Sequence, residues 1–351
     1  MKQIKLNYIF IALAFATLLA SCRKDKTTPT PDTPTAARAG IYALNQGGFN
    51  KNNSTLTYYD YTTKALTPDM FSVANTTTLG DTGNDLGIYG SKMYIVVNNS
   101  NVIFITNKKT SKIIKQITLN QPRNVVFYKT NAFVTSYDGT VSVIDTTSLA
   151  ITKTITVGHN PEQMAIANGK LYVANSGGFD PTPATTVSVI DLVTLAETKK
   201  VTVISNPISV AADSFGNIYI LSLGDYNTIL AGMTIIDSKT DVVKPAPSVS
   251  LGYNIPIYAQ GDFVYYPTAD KKIAVYNAKT QTLSSVNFIT DDTVIATPSA
   301  ISGDPQTGEI FVGTTPSYTV NGTLYAFDKT GKKEYSIATG ITPGKIVLLD
   351  K

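Results

Sequence analysis

A stretch that reads as a strand, ends in Asp or Asn and is followed three residues later by Thr or Ser recurs along this chain. The copies are Asp60…Thr63, Asn107…Thr110, Asp145…Ser148, Asp191…Thr194, Asp237…Thr240 and Asn277…Thr280. A seventh, Asp328, carries Gly331 at the third place. The intervals run 47, 38, 46, 46, 40 and 51 residues. Any single copy is an ordinary hairpin turn, in which the side-chain oxygen accepts backbone N–H bonds. Seven at this spacing are a repeat, and a period of this length belongs to units that bury their faces only against copies of themselves.

The third unit shows the filling. Segments 124–128, 132–136, 141–145 and 151–157 are rich in β-branched and aromatic residues and are separated by Gly, Asn and Thr breaks. Four strands per repeat is the blade of a β-propeller, and no amphipathic helix of ten or more residues interrupts the pattern. The expected fold is therefore all-β, a seven-bladed β-propeller over residues 40–351. The first unit supplies only three strands, 41–45, 55–60 and 65–71, while a spare strand, 345–349, follows the last. The C-terminal strand is expected to become the inner strand of blade one and to close the ring.

Composition narrows the chemistry. Charged residues make up 15% of the chain, against the roughly 25% usual in soluble domains. A single Cys excludes a disulfide scaffold or a Cys-based zinc cluster, and a single His excludes multi-His catalytic metal sites. The formal charge of +4, with signs interspersed, offers no field for nucleic acid. Neither a metal nor a cofactor is expected, and the chain does not read as an enzyme.

Residues 1–21 read as a signal segment, with Lys2 and Lys5 ahead of an apolar run from Ile9 to Leu19. Leu-Ala-Ser-Cys at 19–22 is similar to the lipobox of bacterial lipoproteins, which implies lipidation of Cys22 and a membrane anchor of two or three acyl chains. The alternative is a plain signal peptide with an incidental Cys. Residues 22–39 then read as the lipidated Cys and an extended Thr/Pro tether. Without residues 1–21 the net charge falls to +2.

The connections expected on one face are short. Those on the other are long: 46–53, 72–84, 176–185, 223–231 and 315–321. These carry Phe49, Phe179, Tyr226 and Tyr318 amid Gly, Asn and Asp, and shorter loops add Tyr137 and Tyr253. Each aromatic either caps its own blade or offers a ligand surface, and their gathering on one face favours the second. Arg123 follows Pro122 at a junction between blades, the only Arg expected in the folded part. It is poised for a ligand carboxylate, amide or phosphate, or for an inter-blade salt bridge. His159 is a solvated loop residue or, on the alternative reading, a metal or axial ligand. The acids Asp81, Asp85, Glu162, Asp225 and Asp270 fall near this face with no diagnostic spacing.

Val-Ser-Val-Ile-Asp at 141–145 and again at 187–191, Thr-Ile-Thr-Val-Gly-His-Asn-Pro at 154–161 and Leu-Tyr-Val-Ala-Asn at 171–175 resemble the YVTN-type, or YncE-like, propeller repeat. Asn-Gln-Gly at 45–47, Ser-Thr-Leu-Thr-Tyr-Tyr-Asp at 54–60, Leu-Gly-Asp at 79–81, Tyr-Ile-Val-Val-Asn-Asn-Ser at 94–100, Pro122-Arg123 and Gly-Ile-Thr-Pro-Gly at 340–344 are similar to Bacteroidota surface lipoproteins of this fold. Some of those capture vitamin B12 and related corrinoids for a TonB-dependent outer-membrane transporter. The resemblance implies a corrinoid ligand, a TonB-dependent receptor as partner and an outer-membrane, lipid-anchored location, surface-exposed or periplasmic. It departs in having no Trp. The expected ligand-binding set joins Arg123 and the loop aromatics Phe49, Tyr137, Phe179, Tyr226, Tyr253 and Tyr318 to the motif asparagines Asn45, Asn98 and Asn175. Two other readings stay open: a protein-interaction or envelope scaffold with no small ligand, and a metal-dependent lactonase- or lyase-like enzyme.

Overall fold

The computed structural model describes residues 37–351. The expected signal segment 1–21, Cys22 and all of the tether up to residue 36 lie outside the described residues. Among those described, the strands form seven four-stranded antiparallel sheets. The first strands of successive sheets touch one another in a closed circuit. The chain is thus a seven-bladed β-propeller. Blade three, for example, runs outward from the axis as Pro122–Tyr128, Asn131–Ser136, Thr140–Asp145 and Ile151–Thr156.

Side chains alternate across a strand, and here both faces of each blade meet a neighbour. In blade one Tyr42 and Leu44 pack toward blade two, whereas Ile41 and Ala43 pack toward blade seven. The core is accordingly divided into seven clusters, one at each blade boundary. This is why the middle strands read as unbroken apolar runs: a strand buried on both sides has no solvent face to mark with polar residues.

The ring closes as the sequence implies. The C-terminal strand, Pro343–Asp350, pairs antiparallel with Arg38–Asn45, setting Ile41 opposite Leu348 and Ala43 opposite Ile346. One expectation changes here. The first strand begins at Arg38, inside the stretch assigned to the tether, so Arg123 is not the only arginine of the folded part. The Arg38 Nε and Nη2 donate to the two oxygens of Asp304 in blade seven at 2.8 and 2.7 Å, and Nη1 donates to Asp350. A bidentate pair of this kind fixes geometry as well as charge.

The repeated acid or amide makes the turn it was read to make. Asp60 Oδ1 accepts from the Thr62 and Thr63 N–H at 2.8 and 2.7 Å, and the turns at Asn107, Asp145, Asp191 and Asn277 repeat the pattern. The structure adds the fourth position, which lies in the left-handed region at Lys64, Ser111, Leu149, Leu195, Asp241 and Gln281. In blade seven the turn is one residue shorter, and the left-handed position falls on Gly331 (φ +84°). The odd glycine of the seventh copy therefore marks a shortened turn.

Blade one departs from expectation at its outer edge. In place of a strand over 65–71, the structure has a two-residue strand, Leu66–Thr67, and a short helix, α1, Met70–Asn75. The Asp69 side chain caps α1 by accepting from the Ser72 N–H. Phe71 is driven into the boundary with blade two, its ring centroid 4.8 Å from that of Phe104. The Asn75 amide bonds the backbone of Ser111 and Ile113. The first third of the expected surface loop 72–84 is thus helix docked between blades.

Candidate functional site at the mouth of the ring

Inner strands begin with proline in blades one, three, four, five and seven: Pro343, Pro122, Pro161, Pro207 and Pro298. Proline is tolerated at the first residue of a strand, where no ladder N–H is required. Directly afterwards the register slips, as between Pro122 and Val125, Pro161 and Met164, Pro207 and Ser209, and Pro298 and Ala300. Blade two slips at the same place, between Gly83 and Asp85. A β-bulge re-aims the unpaired residue. Here it turns Asn84, Arg123, Glu162, Ile208, Ser299 and Gly344 toward the axis, where all six line one cavity of about 310 Å³.

The next residue along ties the ring together. Asp85 Oδ2 accepts from Asn124 Nδ2 (2.6 Å) and from the Val125 N–H (2.8 Å), while its Oδ1 meets Lys345 Nζ at 2.9 Å. Asn124 Oδ1 in turn accepts from the Met164 N–H at 2.9 Å, and Gln163 Oε1 from the Val210 N–H at 3.2 Å. Each such bond joins the inner strand of one blade to that of the next.

On the floor of the cavity, Arg123 is an inter-blade salt bridge. Its Nε and Nη2 donate to Glu162 Oε2 at 2.9 and 2.7 Å, and its Nη1 donates to Asn84 Oδ1 at 2.5 Å. The guanidinium carbon lies 4.7 Å from the centroid of the Tyr137 ring, a cation–π contact. The Tyr137 hydroxyl donates to Glu162 Oε1. Burial works against the Arg123 charge, but Glu162 more than offsets it and holds the guanidinium above its ordinary pKa. Burial, then the Glu162 charge, pushes the Tyr137 hydroxyl well above the usual phenol range. This pairing leaves the floor polar but electrically balanced.

Five of the expected ligand residues come together on this cavity: Arg123, Tyr137, Phe179, Tyr226 and Tyr253. Phe179 stands edge-on to Tyr137 at 5.5 Å and is 78% exposed. Tyr318 reaches the cavity through its hydroxyl, which donates to Asn254 Oδ1 at 3.2 Å. Phe49, 69% exposed in the loop 46–53, is not among the lining residues. The three motif asparagines serve another role. Asn45 and Asn175 are buried, and their Nδ2 groups bond Thr55 and Thr57, or Thr186 and Ser188, on the adjacent strand. The Asn98 amide, also buried, donates to the Pro122 carbonyl. All three amides stitch strand ends and lie outside the cavity lining, although the buried Asn45 Oδ1 keeps no partner.

His159 is exposed, and its Nδ1 lies 2.8 Å from Asp180 Oδ2, holding the base of the Phe179 loop. Of the acids, Asp225 accepts from three N–H groups of its own loop, Asp270 pairs with Lys272, and Asp81 accepts from the Asn52 N–H. Among the described residues no group of three His, Cys, Asp or Glu side chains could hold a metal ion. Sequence reasoning missed Asn84, Asn206, Ile208, Asn254 and Ile255 as lining residues. The signal for Ile208 was present: the residue after each junction proline.

Compared with known proteins, residues 39–340 match the family described as "Domain of unknown function (DUF5074)". No curated protein matches the sequence. Among solved structures, hydrazine synthase from Kuenenia stuttgartiensis superposes with a TM-score of 0.65 at 13% identity, over 77% of this chain and 95% of that one. A quinonprotein alcohol dehydrogenase-like protein from Bacteroides thetaiotaomicron VPI-5482 gives 0.64 at 18% identity, over 90% of this chain and 79% of that one. The computationally designed Ika8 protein gives 0.58 at 13% identity, over 90% and 98%. Likeness at these identities speaks to the fold alone.

Proposed function

The chain belongs to the DUF5074 family, and we propose that it captures an uncharged, broad, hydrogen-bonding ligand at the mouth of its ring without turning it over. The observation that carries this reading is the balanced floor: Arg123 is committed to Glu162 beneath a rim of exposed aromatics. Among the lining residues the one cation, Arg123, is already paired and so does not select a phosphate or carboxylate, while aromatic faces and amides can hold a neutral molecule.

The ligand we propose is a corrinoid such as vitamin B12, a flat macrocycle fringed with amides that would lie across the mouth. Delivery would be to a TonB-dependent outer-membrane transporter, from a lipid anchor at Cys22. The topology is compatible with that role. The strand Arg38–Asn45 ends at the mouth with Asn45 and so begins on the opposite face. Ala37, beside the start of that strand, therefore lies on the face opposite the mouth. The rim also suits a protein partner, since Leu230 (82%) and Tyr253 (72%) stand exposed around it, and a capture protein must dock to hand its cargo on.

A visible-spectrum titration with cyanocobalamin, paired with a thermal melt, tests the reading. Ligand at 100 times its Kd adds about 2.7 kcal/mol. For a fold of this size, with an unfolding entropy near 2.1 cal/mol/K per residue, that raises Tm by about 4 °C. An unchanged spectrum and melt at saturating ligand would remove the corrinoid assignment.

A further inference from the structure

Two amides in the mouth each keep one half unpaired. Asn206 is 1% exposed. Its Nδ2 donates to the Tyr226 hydroxyl at 2.9 Å, and its backbone N–H and carbonyl are both bonded, but its buried Oδ1 has no partner. Asn254 presents the opposite case: Oδ1 accepts from the Tyr318 hydroxyl, and the buried Nδ2 has no partner. Folded proteins rarely leave such atoms unsatisfied, and each one calls for an explanation. Both residues line the same cavity, one with a buried acceptor unpaired and the other with a buried donor unpaired.

Tyr226 supplies an independent indication. It sits at φ +59°, in the left-handed region that a bulky side chain seldom occupies. The loop around it is locked by Asp225 Oδ1, which accepts from the N–H groups of Asn227, Thr228 and Ile229 at 2.9, 2.8 and 2.7 Å. The Tyr226 ring is 63% exposed, so the Asp225-capped turn rather than packing holds the conformation. What the strained backbone achieves is to set the tyrosine hydroxyl against Asn206. Strain of this kind persists where surrounding structure enforces it, typically at binding sites.

We propose that Asn206 Oδ1 and Asn254 Nδ2 are the contact atoms for a ligand carboxamide, with Tyr226 and Tyr318 as the residues that position them. A primary carboxamide carries an N–H donor and a carbonyl acceptor, which complement the acceptor and donor left open in the mouth. A carboxylate carries acceptors only; it would meet Asn206 Oδ1 without a proton to share, above a floor whose cation, Arg123, is already paired. The inference deepens the reading of the mouth as a ligand site and rests on it, but it does not require that the ligand be a corrinoid.

Saturation-transfer NMR of the full chain with benzamide and benzoate as competing probes tests it. Benzamide is expected to give the stronger signal by at least tenfold in affinity. Asn254→Asp, which replaces the open donor with acceptors, is expected to abolish that preference. Tyr226→Phe, on the exposed rim, removes the hydroxyl that holds Asn206 and is expected to weaken benzamide at least threefold with an unchanged circular-dichroism spectrum. Equal binding of the two probes, or a benzamide preference indifferent to both substitutions, overturns the proposal. A benzamide preference that depends on both residues, with no response to cyanocobalamin, would sustain it while the corrinoid assignment fell. Tight cyanocobalamin binding with no benzamide preference would do the reverse.

Discussion

Replacing Glu162 with Gln tests whether Arg123 is a structural cation or a hook left free for ligand. The side chains are 19% (Arg123) and 7% (Glu162) exposed. Removing one partner of a buried pair costs about 3–5 kcal/mol because the other charge is stranded. Arg123 would keep its bond to Asn84 and its contact with the Tyr137 ring, so the lower end, about 3 kcal/mol, is the expected loss. Roughly 315 folded residues at about 2.1 cal/mol/K each give an unfolding entropy near 0.66 kcal/mol/K. The melting temperature should therefore fall by about 4–5 °C. Arg123→Met should cost a similar amount, because it strands the Glu162 carboxylate.

The double variant decides the matter. With both charges gone, no charge is left buried and unpaired between blades three and four, and the melt should return to within about 2 °C of the unsubstituted protein. A circular-dichroism or fluorescence-dye melt measures all four proteins side by side. If Glu162→Gln melts within about 1 °C of the original, or if the double variant shows the sum of the single losses, the balanced-floor argument is wrong. The case for an uncharged ligand would then lose its basis.

Deleting Ile346–Asp350 removes most of the inner strand of blade one, including buried Ile346 and Leu349. The expected result is a Tm lower by roughly 10 °C or more, or loss of a cooperative transition; an unchanged melt would sink the closure. Gly331→Ala would place a Cβ 1.8 Å from the Phe288 carbonyl oxygen at φ +84° and should cost at least about 2 kcal/mol. Gly90→Ala, in open space, should cost about 1 kcal/mol, and equal melts would refute the reading of the short turn. Asn124→Ala breaks its bonds to Asp85 and Met164 between inner strands and should lower Tm by about 3–5 °C. Ser299→Ala, which removes the single inter-blade bond from its hydroxyl to the Pro343 carbonyl, should lower it by about 1–2 °C, so a reversed order would contradict the larger tying role of Asn124. Burial pushes the hydroxyls of Tyr58, Tyr94, Tyr258, Tyr266 and Tyr335 up to about 12. Unfolded tyrosines ionise near 10. Above that pH the unfolded chain holds fewer protons than the folded one, so stability is lost as pH rises from about 10 to about 12. Denaturant melts that show no loss of stability between about pH 10 and about pH 12 would refute this.

The fold was legible because its determinants are local. A turn acid accepting two N–H bonds leaves the same trace in each copy, and strands buried on both faces show as apolar runs. Closure was legible from a missing strand at one end and a spare at the other. The helix Met70–Asn75 was hidden because six residues hold too few turns to display a period, and its one anchor, Phe71, suits a strand equally well. The aromatics of the mouth were found from loop composition, whereas Asn45, Asn98 and Asn175 were misplaced for a physical reason. An asparagine at the end of a strand can face the axis or turn back on its own sheet, and residue type is blind to that choice. Register decides it: Asn45 and Asn175 stand opposite Thr55 and Thr186, whose hydroxyls claim the amide. Asn206 and Asn254, in loops without a motif, carried no sequence signal at all.

The bulges after the junction residues explain how one chain serves two demands at the axis. In an unbroken strand, neighbouring side chains point to opposite faces, and both would be claimed by the adjoining blades. The extra residue frees one of them. In blade two Asn84 faces the mouth while Asp85 holds blade three; in blade three Arg123 does so while Asn124 holds blade four; in blade four Glu162 does so while Gln163 holds blade five. Ring integrity and mouth chemistry thus occupy consecutive positions, written as proline or glycine, then the mouth residue, then the tie. Changing the middle letter alters what the mouth can bind without loosening the tie beside it. The exceptions are Asn84, Arg123 and Glu162, bonded to one another across blades two to four, and Ser299, whose hydroxyl donates to the Pro343 carbonyl of blade one; at Arg123 and Glu162 the charge balance of the site and the stability of the ring stand or fall together.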